Sequence, residues 1–278
     1  MNLFDEISLK CSKITTHSYS TSFTLGILSL NKKYRNPIYA IYGFVRFADE
    51  IVDSFHDYDK ETLLNNFTAE TYKAIEQKIS LNPILNSFQM AVNVYKIDKE
   101  LIDCFLHSMQ MDLNPSKEYT QEKYKEYILG SAEVVGLMCL RVFCEGNNEM
   151  YQDLKPSAMK LGSAFQKINF LRDLKADYYT LGRAYFPSFN LSQFDVKSKS
   201  DIEADIEIDF KEGYQGIKKL PKGSRLGVYV AYIYYYSLFN KIKKLPPNEI
   251  LENRIRISDT RKYLLIGISY VRHVFNLL

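Results

Sequence analysis

The chain has 278 residues, 46% of them hydrophobic, which is enough to bury a sizeable core in one large domain or two small ones. Twelve glycines and eight prolines are few, and 39 tyrosines and phenylalanines (22 and 17) are many, a composition that excludes a disordered chain and a disulfide-rich secreted module. The formal net charge of +3 is too small to indicate a nucleic-acid-binding protein, and no basic run interleaved with aromatic residues resembles a single-strand binding groove.

The cysteines and the two chain ends bear on where the protein works. The cysteines form no C-x-x-C pair and have no histidine at zinc-ligand spacing, so neither a metal knuckle nor a disulfide framework is expected. Residues 1–6 carry acids where a signal peptide would carry a basic region. The apolar stretch from Tyr263 to Leu278 is interrupted by Arg272 and His273 and is shorter than the ~20 residues of a membrane-spanning helix. We therefore expect a cytoplasmic protein.

Helical periodicity runs through most of the chain, because apolar residues recur at three- and four-residue spacing. One such series is Ile38, Ile41, Val45, Ala48, Val52 and Phe55. Turn-forming residues interrupt the pattern at 31–36, 81–83, 114–116, 146–148, 187, 221–223 and 246–247. These breaks delimit roughly eight to ten helices.

The stretch from Ile202 to Phe210 is the best strand candidate, because Ile206 and Ile208 alternate with acidic residues. The wider polar segment from Ser188 to Asp209 shows no clear helical face, so we expect it to link two helices. Almost no sheet is predicted, and no internal repeat indicates a solenoid. A single all-α domain over residues 1–278 is the simplest interpretation.

Two aspartate pairs carry the chemistry, Asp49 with Asp53 and Asp173 with Asp177. Helical residues four apart share a face with Cβ atoms about 5–6 Å apart, so each pair presents two carboxylates side by side, where like charges repel unless a cation binds. Mg²⁺ prefers one or two carboxylates together with waters and phosphate oxygens, so opposed aspartate helices suit a diphosphate. A single such pair is more often a solvated surface doublet.

Matching neighbours strengthen the functional interpretation of both pairs. Arg46 lies three residues before Asp49, and Arg172 directly precedes Asp173, as expected where a departing diphosphate must be held. Gln166 and Asn169 extend the second aspartate pair into one polar stripe along a helix. The hydroxyl-rich segment 18–22 fits either a phosphate-binding helix start or an ordinary N-cap.

Five blocks of sequence resemble the squalene/phytoene synthase family over nearly the whole chain. They are Ser20–Phe23, Ala40–Asp53, Met109–Leu113, Tyr127–Gly136, and Gly162–Asp177 continuing to Gly182–Pro187. The third block and residues 182–187 look closer to phytoene synthases than to squalene synthases. The resemblance implies a single-domain, all-α isoprenoid synthase helical bundle around a central cavity, acting on prenyl diphosphates with Mg²⁺.

The resemblance also implies a role for each matched residue. Mg²⁺ would be ligated, directly or through water, by Asp49, Asp53, Asn169, Asp173 and Asp177. The residues assigned to catalysis are Asp49, Asp53, Asp173, Asp177, Arg172 and Tyr42. Those assigned to substrate binding are Ser20, Ser22, Arg46, Tyr127, Gln166, Asn169 and, in a loosely matched basic block, Arg261. Glu50 departs from the second Asp of the common D-D-x-x-D form, and Glu133 stands where relatives often have Gly.

The implied reaction is head-to-head condensation of two geranylgeranyl diphosphates to phytoene through a cyclopropylcarbinyl diphosphate, in carotenoid biosynthesis. The alternative is coupling of two C15 farnesyl diphosphates to dehydrosqualene or squalene, and the use of NADPH stays open. A terpene cyclase would carry a different second motif, and a non-catalytic assembly protein would be expected to lose the metal carboxylates. The stripe of Tyr229, Tyr232 and Tyr236 fits either cation stabilisation or, the favoured alternative, core packing.

Peripheral association with the cytoplasmic membrane surface is also expected, because the implied substrates and product partition into lipid. The apolar segment that begins at Tyr263 fits either an interfacial helix or, the favoured alternative, the final core helix of the domain. No oligomeric state is predicted.

Overall fold

A computed structural model describes residues 2–114, 119–179, 185–187, 194–252 and 254–275, with the backbone alone described for 176–179 and 259. The described ranges contain α-helices and no strand, which confirms the predicted all-α class. The helices are α1 Leu3–Tyr19, α2 Thr21–Leu28, α3 Lys32–Ser54, α4 Lys60–Gln77, α5 Pro83–Tyr95, α6 Lys99–Leu113, α7 Gln121–Ile128, α8 Val134–Cys144, α9 Asn148–Tyr179, α10 Val196–Lys219, α11 Lys222–Lys243, α12 Pro247–Glu252 and α13 Asp259–Val274. A π-helical segment, Leu129–Glu133, joins α7 to α8.

The helices in these ranges outnumber the eight to ten predicted because local caps divide what reads as continuous periodicity. Ser20 has an extended backbone between α1 and α2, and its hydroxyl accepts a hydrogen bond from the backbone N–H of Phe23 at 3.2 Å. Asn82 caps α5 through the backbone N–H of Ile84 at 3.0 Å, with Pro83 in the first turn. The break between α1 and α2 places Ser20 at the end of the central cavity.

Helix α10 is helical from Val196 onward. The strand candidate Ile202–Phe210 is therefore wrong, and so is the linking segment from residue 196 to Asp209. Asp195 and Ser198 form a capping box at its start. Ile206 and Phe210, one turn apart, are fully buried, whereas Ile208 is 55% exposed. Ile206 and Ile208 would share one face of a strand, so their different burial fits a helix. Residues 188–193 lie outside the described ranges.

Two clusters of buried apolar side chains pack on either side of the long helix α9. One joins α2–α6, α8 and the start of α9 around stacked Phe44 and Phe88, whose ring centroids are 3.9 Å apart. The other joins the rest of α9 with α10 and α11 around Phe210 and Phe239. Helix α9 therefore runs through the middle of the fold, with one face available to a cavity between the clusters.

The stretch Gln121–Cys144, made of α7, the π segment and α8, is long and apolar enough to cross a membrane by length and composition. In the folded chain 56% of its most apolar window is buried. Gly130 sits in close contact with α6, where an added Cβ would lie 2.6 Å from the carbonyl oxygen of Cys104. Core packing against α6 and α9 thus accounts for its apolar character.

Helices α2 and α11 approach closely at Gly227, where an added Cβ would lie 2.4 Å from Cδ2 of Leu30 and 2.6 Å from the carbonyl oxygen of Gly26. We predict that Gly227→Ala lowers the free energy of unfolding by about 1–3 kcal/mol, because the two helices must separate. The matched control is Gly267→Ala in α13, where an added Cβ meets nothing within 4 Å. Chemical denaturation should show this control stabilised by about 0.5–1 kcal/mol; equal effects of the two substitutions would contradict the close packing.

The last helix, α13, is not the buried core helix that the sequence favoured. It packs against α11 with one face only, while Leu264 and Val271 on the other face are 62% and 52% exposed. The apolar residues of this segment therefore follow the pattern of a core helix without being covered.

Candidate active site

A cavity of about 530 Å³ lies between α9 and the surrounding helices. Its lining on α9 runs from Leu154 to Arg172, and the eighteen helical steps between these two residues correspond to about 27 Å along the helix axis. One end is apolar, with Leu30, Ile38, Phe143, Leu154 and Leu220 among its lining residues. The other end is polar and is formed by Tyr19, Ser20, Tyr42, Arg46, Asp49, Gln166, Asn169, Arg172, Tyr235 and Arg254. The site is thus a long amphipathic cavity.

On the α3 side of the polar end, one arginine bridges two acids. The Arg46 guanidinium donates Nη1–H to Asp49 and Nη2–H to Glu50, three and four residues further along the helix. Its centre lies 4.3 Å from the centroid of the Tyr19 ring. Among the described residues its buried Nε–H has no hydrogen-bond partner. Glu50 therefore has a defined contact: it shares this guanidinium with Asp49.

On the α9 side, two arginines converge on Asp173. Arg172 Nη2 lies 2.5 Å from its Oδ2, and Arg254 Nε lies 2.7 Å from its Oδ1. The hydroxyl of Tyr235 donates to Asn169 Oδ1 at 3.3 Å. The polar end therefore holds cations on both walls, Arg46 on one and Arg172 with Arg254 on the other.

The structure brings most of the predicted site residues together at this cavity. Those that line it are Ser20, Tyr42, Arg46, Asp49, Tyr127, Gln166, Asn169 and Arg172. Those outside the lining are Ser22, Asp53, Asp173 and Arg261. The side chain of Asp177 lies outside the described residues. The catalytic, binding and metal roles assigned to these residues stay predictions.

Arg254 is the cavity residue that sequence reasoning missed. It precedes Ile255 and Ile257, which are both 4% exposed and fix an extended segment against the core, so that Arg254 can reach Asp173. The alternation of arginine and isoleucine in residues 254–257 is the signal that was available. Arg261, which was named instead, is exposed on α13.

A buried acid, Asp112, supports the cavity wall at Tyr127. The hydroxyl of Tyr127 donates to Asp112 Oδ2 at 2.6 Å, and that of Tyr185 donates to Oδ1 at 3.3 Å. The two tyrosine rings stack with centroids 4.8 Å apart. Asp112 is only 4% exposed, so these bonds satisfy a carboxylate that would otherwise be costly to bury. This explains in physical terms why the block around Asp112 carries an acid.

Tyrosine side chains near the polar end divide into cavity and core groups. Burial raises the pKa of Tyr42 to about 12, with Arg46 opposing the shift, so the phenol stays protonated and available as a donor. Phe23 lies with its ring centroid 5.6 Å from Tyr42 and 6.1 Å from Tyr235. Tyr229 and Tyr232 are 1% and 9% exposed in the second core cluster and outside the cavity lining, as core packing requires.

Glu133, in the π segment beside the cavity, has a carboxyl group whose protonation is strongly shifted by the fold. Its pKa is raised to about 7, chiefly by burial and also by the charge of Asp209, while Lys160 and Lys167 oppose the shift. An acid whose pKa is raised on folding contributes stability that is complete below its ordinary pKa, near 4.5, and lost as the pH rises through about 7.

We therefore predict that Glu133→Gln raises the melting temperature relative to the parent protein, and that the increase grows from pH 5 to pH 8. Glutamine keeps the size of the side chain and removes the ionisation. Thermal melting followed by circular dichroism at both pH values checks this. An increase that does not change with pH would contradict the raised pKa.

Comparison with known proteins decides the family. A family model described as squalene/phytoene synthase matches residues 16–261. The chain belongs to this family. It is 23% identical over 291 residues to phytoene synthase 1, chloroplastic, of Solanum lycopersicum, covering 98% of this chain and 69% of that protein. It is 26% identical over 211 residues to 4,4'-diapophytoene synthase of Staphylococcus haemolyticus, covering 74% and 70%.

Among solved structures of the family fold, a dehydrosqualene synthase in complex with ligand superposes with a TM-score of 0.83, at 20% sequence identity and over 96% of each chain. This likeness confirms the predicted isoprenoid synthase helical fold. Membership of the family makes the protein a prenyl transferase, and its relatives include enzymes named for phytoene and for 4,4'-diapophytoene.

Proposed function

We propose that the protein joins two prenyl diphosphates head to head, and that its reaction is the conversion of two C20 diphosphates to phytoene. The observation that carries this proposal is the long cavity, which extends about 27 Å along α9 and has guanidinium groups at one end and apolar side chains at the other. Such a cavity suits two branched hydrocarbon tails that share one diphosphate-binding end. C15 diphosphates have the same head chemistry and are the alternative substrates.

The polar end would bind and orient the diphosphates. Arg46, Arg172 and Arg254 offer guanidinium donors, and a planar guanidinium pairs with phosphate oxygens through two parallel hydrogen bonds. Ser20 lies at the N-terminus of α2, where hydroxyl and backbone donors favour an anion. In the protein without substrate these arginines bond to Asp49, Glu50 and Asp173, so a diphosphate would exchange one set of oxygens for another.

The donor chemistry also fits Mg²⁺. Among the described residues no three Asp, Glu, His or Cys side chains form a ready-made cage, whereas Asp49 on one wall and Asn169 beside Asp173 on the other offer oxygen ligands. Mg²⁺ commonly takes one or two carboxylates and completes its shell with waters and substrate phosphates. Bound there, it would act as a Lewis acid that neutralises diphosphate oxygens.

Ionisation of the first diphosphate would leave an allylic cation next to the aromatic residues at the junction of the polar and apolar ends. Phe23, Tyr42 and Tyr235 lie there, with Phe165 stacked on Tyr235 at a centroid distance of 4.1 Å. Aromatic faces stabilise nearby cations. The double bond of the second substrate attacks C1 of this cation, and loss of a proton closes the cyclopropane. The resulting cyclopropylcarbinyl diphosphate then loses its diphosphate, and the new cation rearranges. Loss of a second proton gives the triene at the centre of the coupled product.

Product analysis tests the proposal. The purified protein is incubated with C15 or C20 prenyl diphosphate, with Mg²⁺ or EDTA, and with or without NADPH, and extracted products are identified by mass spectrometry. We expect phytoene from the C20 substrate with Mg²⁺ and no NADPH. Coupled product from the C15 substrate alone would replace the C20 assignment, and cyclic or hydrolysed C15 and C20 products without coupling would overturn the proposed reaction.

A further inference from the structure

The side of α13 that faces away from α11 is apolar and open to solvent. Its exposed side chains include Tyr263, Leu264, Ile268, Tyr270, Val271 and Phe275, all between 44% and 69% exposed. Leu264, Ile268, Val271 and Phe275 follow one another at intervals of four, three and four residues, so they form one stripe. A contiguous apolar stripe on a protein surface marks a site of interaction.

The opposite side of α13 is already held by the fold. Lys262 Nζ lies 5.8 Å from the centroid of the Tyr234 ring on α11. Arg272, an exposed residue where this side meets the stripe, donates Nη1–H to the hydroxyl of Tyr229 on α11 at 3.0 Å. Ser269 is fully buried. Because this inner side is anchored at both ends of the helix, α13 cannot rotate to bury the outer stripe without losing its contacts with α11.

The charged residues of α13 are mostly positive. Residues 259–275 contain Arg261, Lys262 and Arg272 against one acid, Asp259. At 100° per residue, Arg261 and Arg272 lie along one edge of the stripe, and Tyr263 and Tyr270 lie along the other. Apolar side chains bordered by arginine and tyrosine are typical of helices that lie at a lipid–water interface.

We propose that α13 binds flat on the surface of an anionic lipid bilayer through this stripe. The helix has sixteen residues and a length of about 24 Å, shorter than the ~30 Å hydrocarbon core, and it is tied to α11, so it lies on the bilayer and does not cross it. The apolar stripe enters the interface, and Arg261 and Arg272 meet anionic headgroups.

A second copy of this chain fits the stripe less well. Antiparallel two-fold pairing of α13 with its copy places the Arg261 and Arg272 edge of one helix against the same edge of the other, which brings like charges together. A surface of opposite charge has no such cost. The bilayer proposal is independent of the proposed reaction, because binding is measured without substrate.

Vesicle flotation of the full chain tests the proposal. We expect binding to vesicles of phosphatidylcholine with phosphatidylglycerol, weaker binding to phosphatidylcholine alone, and a decrease at high salt. The triple variant Leu264→Ser, Ile268→Ser, Val271→Ser should lose affinity at least about tenfold. The matched control Ile14→Ser, Leu81→Ser, Val94→Ser changes apolar residues elsewhere that are at least as exposed (63%, 90% and 70%) and should bind like the parent.

A second measurement does not depend on the triple variant. The chain has no tryptophan, so Tyr270→Trp places a single reporter on the edge of the stripe and Tyr58→Trp, at a 69% exposed position, serves as its control. Anionic vesicles should shift the emission of the Tyr270→Trp variant to the blue and leave that of the control unchanged.

Three results would overturn the proposal. They are the absence of flotation with anionic vesicles, equal loss of binding in the triple variant and its control, and identical emission shifts in the two reporters. Light scattering tests whether a second copy of the chain covers the stripe instead. If the parent is a dimer that does not bind vesicles, and the triple variant is a monomer, the stripe is assigned to a second copy.

Discussion

Asp49→Asn is expected to lower kcat at least about 100-fold, because it removes a charge-bearing oxygen from the polar end of the cavity where the departing diphosphate must be stabilised. The fold should persist, since Asp49 lies at the cavity and Arg46 keeps its bond to Glu50. Steady-state turnover and thermal melting are measured on the same preparation.

Glu50→Gln is the matched control for that substitution. Glu50 shares the Arg46 guanidinium with Asp49 but lies outside the cavity lining, so its loss of kcat should be much smaller. If Asp49→Asn keeps its turnover, or if the two variants lose turnover equally, Asp49 has no special role at the diphosphate end.

Asp209→Ala is expected to lower the free energy of unfolding by about 3 kcal/mol, near the low end for breaking a buried ion pair. Asp209 is fully buried between α10 and α9 and accepts hydrogen bonds from Lys160 at 2.8 Å, Lys167 at 2.6 Å and Ser163 at 2.6 Å. Lys167 is itself buried, and Asp205 still accepts from it at 2.5 Å, which limits the loss.

The pKa of Asp209 agrees with its position in this network. Burial alone would raise the pKa, but the hydrogen bonds from Lys160, Lys167 and Ser163 outweigh burial and leave the pKa below its ordinary value. Denaturant unfolding measures the loss, and Asp153→Ala is the control, because Asp153 pairs with Lys219 on the surface and should change stability by less than about 1 kcal/mol. Equal losses would show that Asp209 is not a buried ion-pair partner that the fold depends on.

Much of the site could be predicted from local pattern. The spacing of Arg46 and Asp49 on α3 puts both on one helix face, and a helix face survives folding unchanged. Of the stripe predicted on α9, Gln166 and Asn169 line the same cavity as Arg46 and Asp49, whereas Asp173 lies outside the lining. The side chain of Asp177 lies outside the described residues.

What could not be predicted depends on contacts between distant segments. Arg254 reaches the cavity because Ile255 and Ile257 dock against the core, and no local period encodes that docking. In α10 the buried residues Ile206 and Phe210 are followed on the same face by Gly213, which contacts Leu161 of α9 and carries no apolar side chain to mark the period. The glycine that lets α10 approach α9 thus conceals the helical face in the sequence.

The helical spacing of apolar residues also does not show what covers an apolar face. The residues of α13 repeat at helical spacing as those of a core helix do, and the pattern is the same whether protein or another medium lies against them. Only the placement of α13 on the outside of α11 separates the anchored inner side, with Ser269, from the exposed stripe of Leu264, Ile268 and Val271.

The bond formed between the two substrates tests the central claim most directly. The enzyme is supplied with prenyl diphosphate labelled with ¹³C at C1, and the extracted hydrocarbon is examined by ¹³C nuclear magnetic resonance. Head-to-head joining makes the two labelled carbons direct and equivalent neighbours at the centre of a symmetric product, so we predict one enriched resonance, at the central carbons. A product with enriched carbons at two different positions would contradict the account.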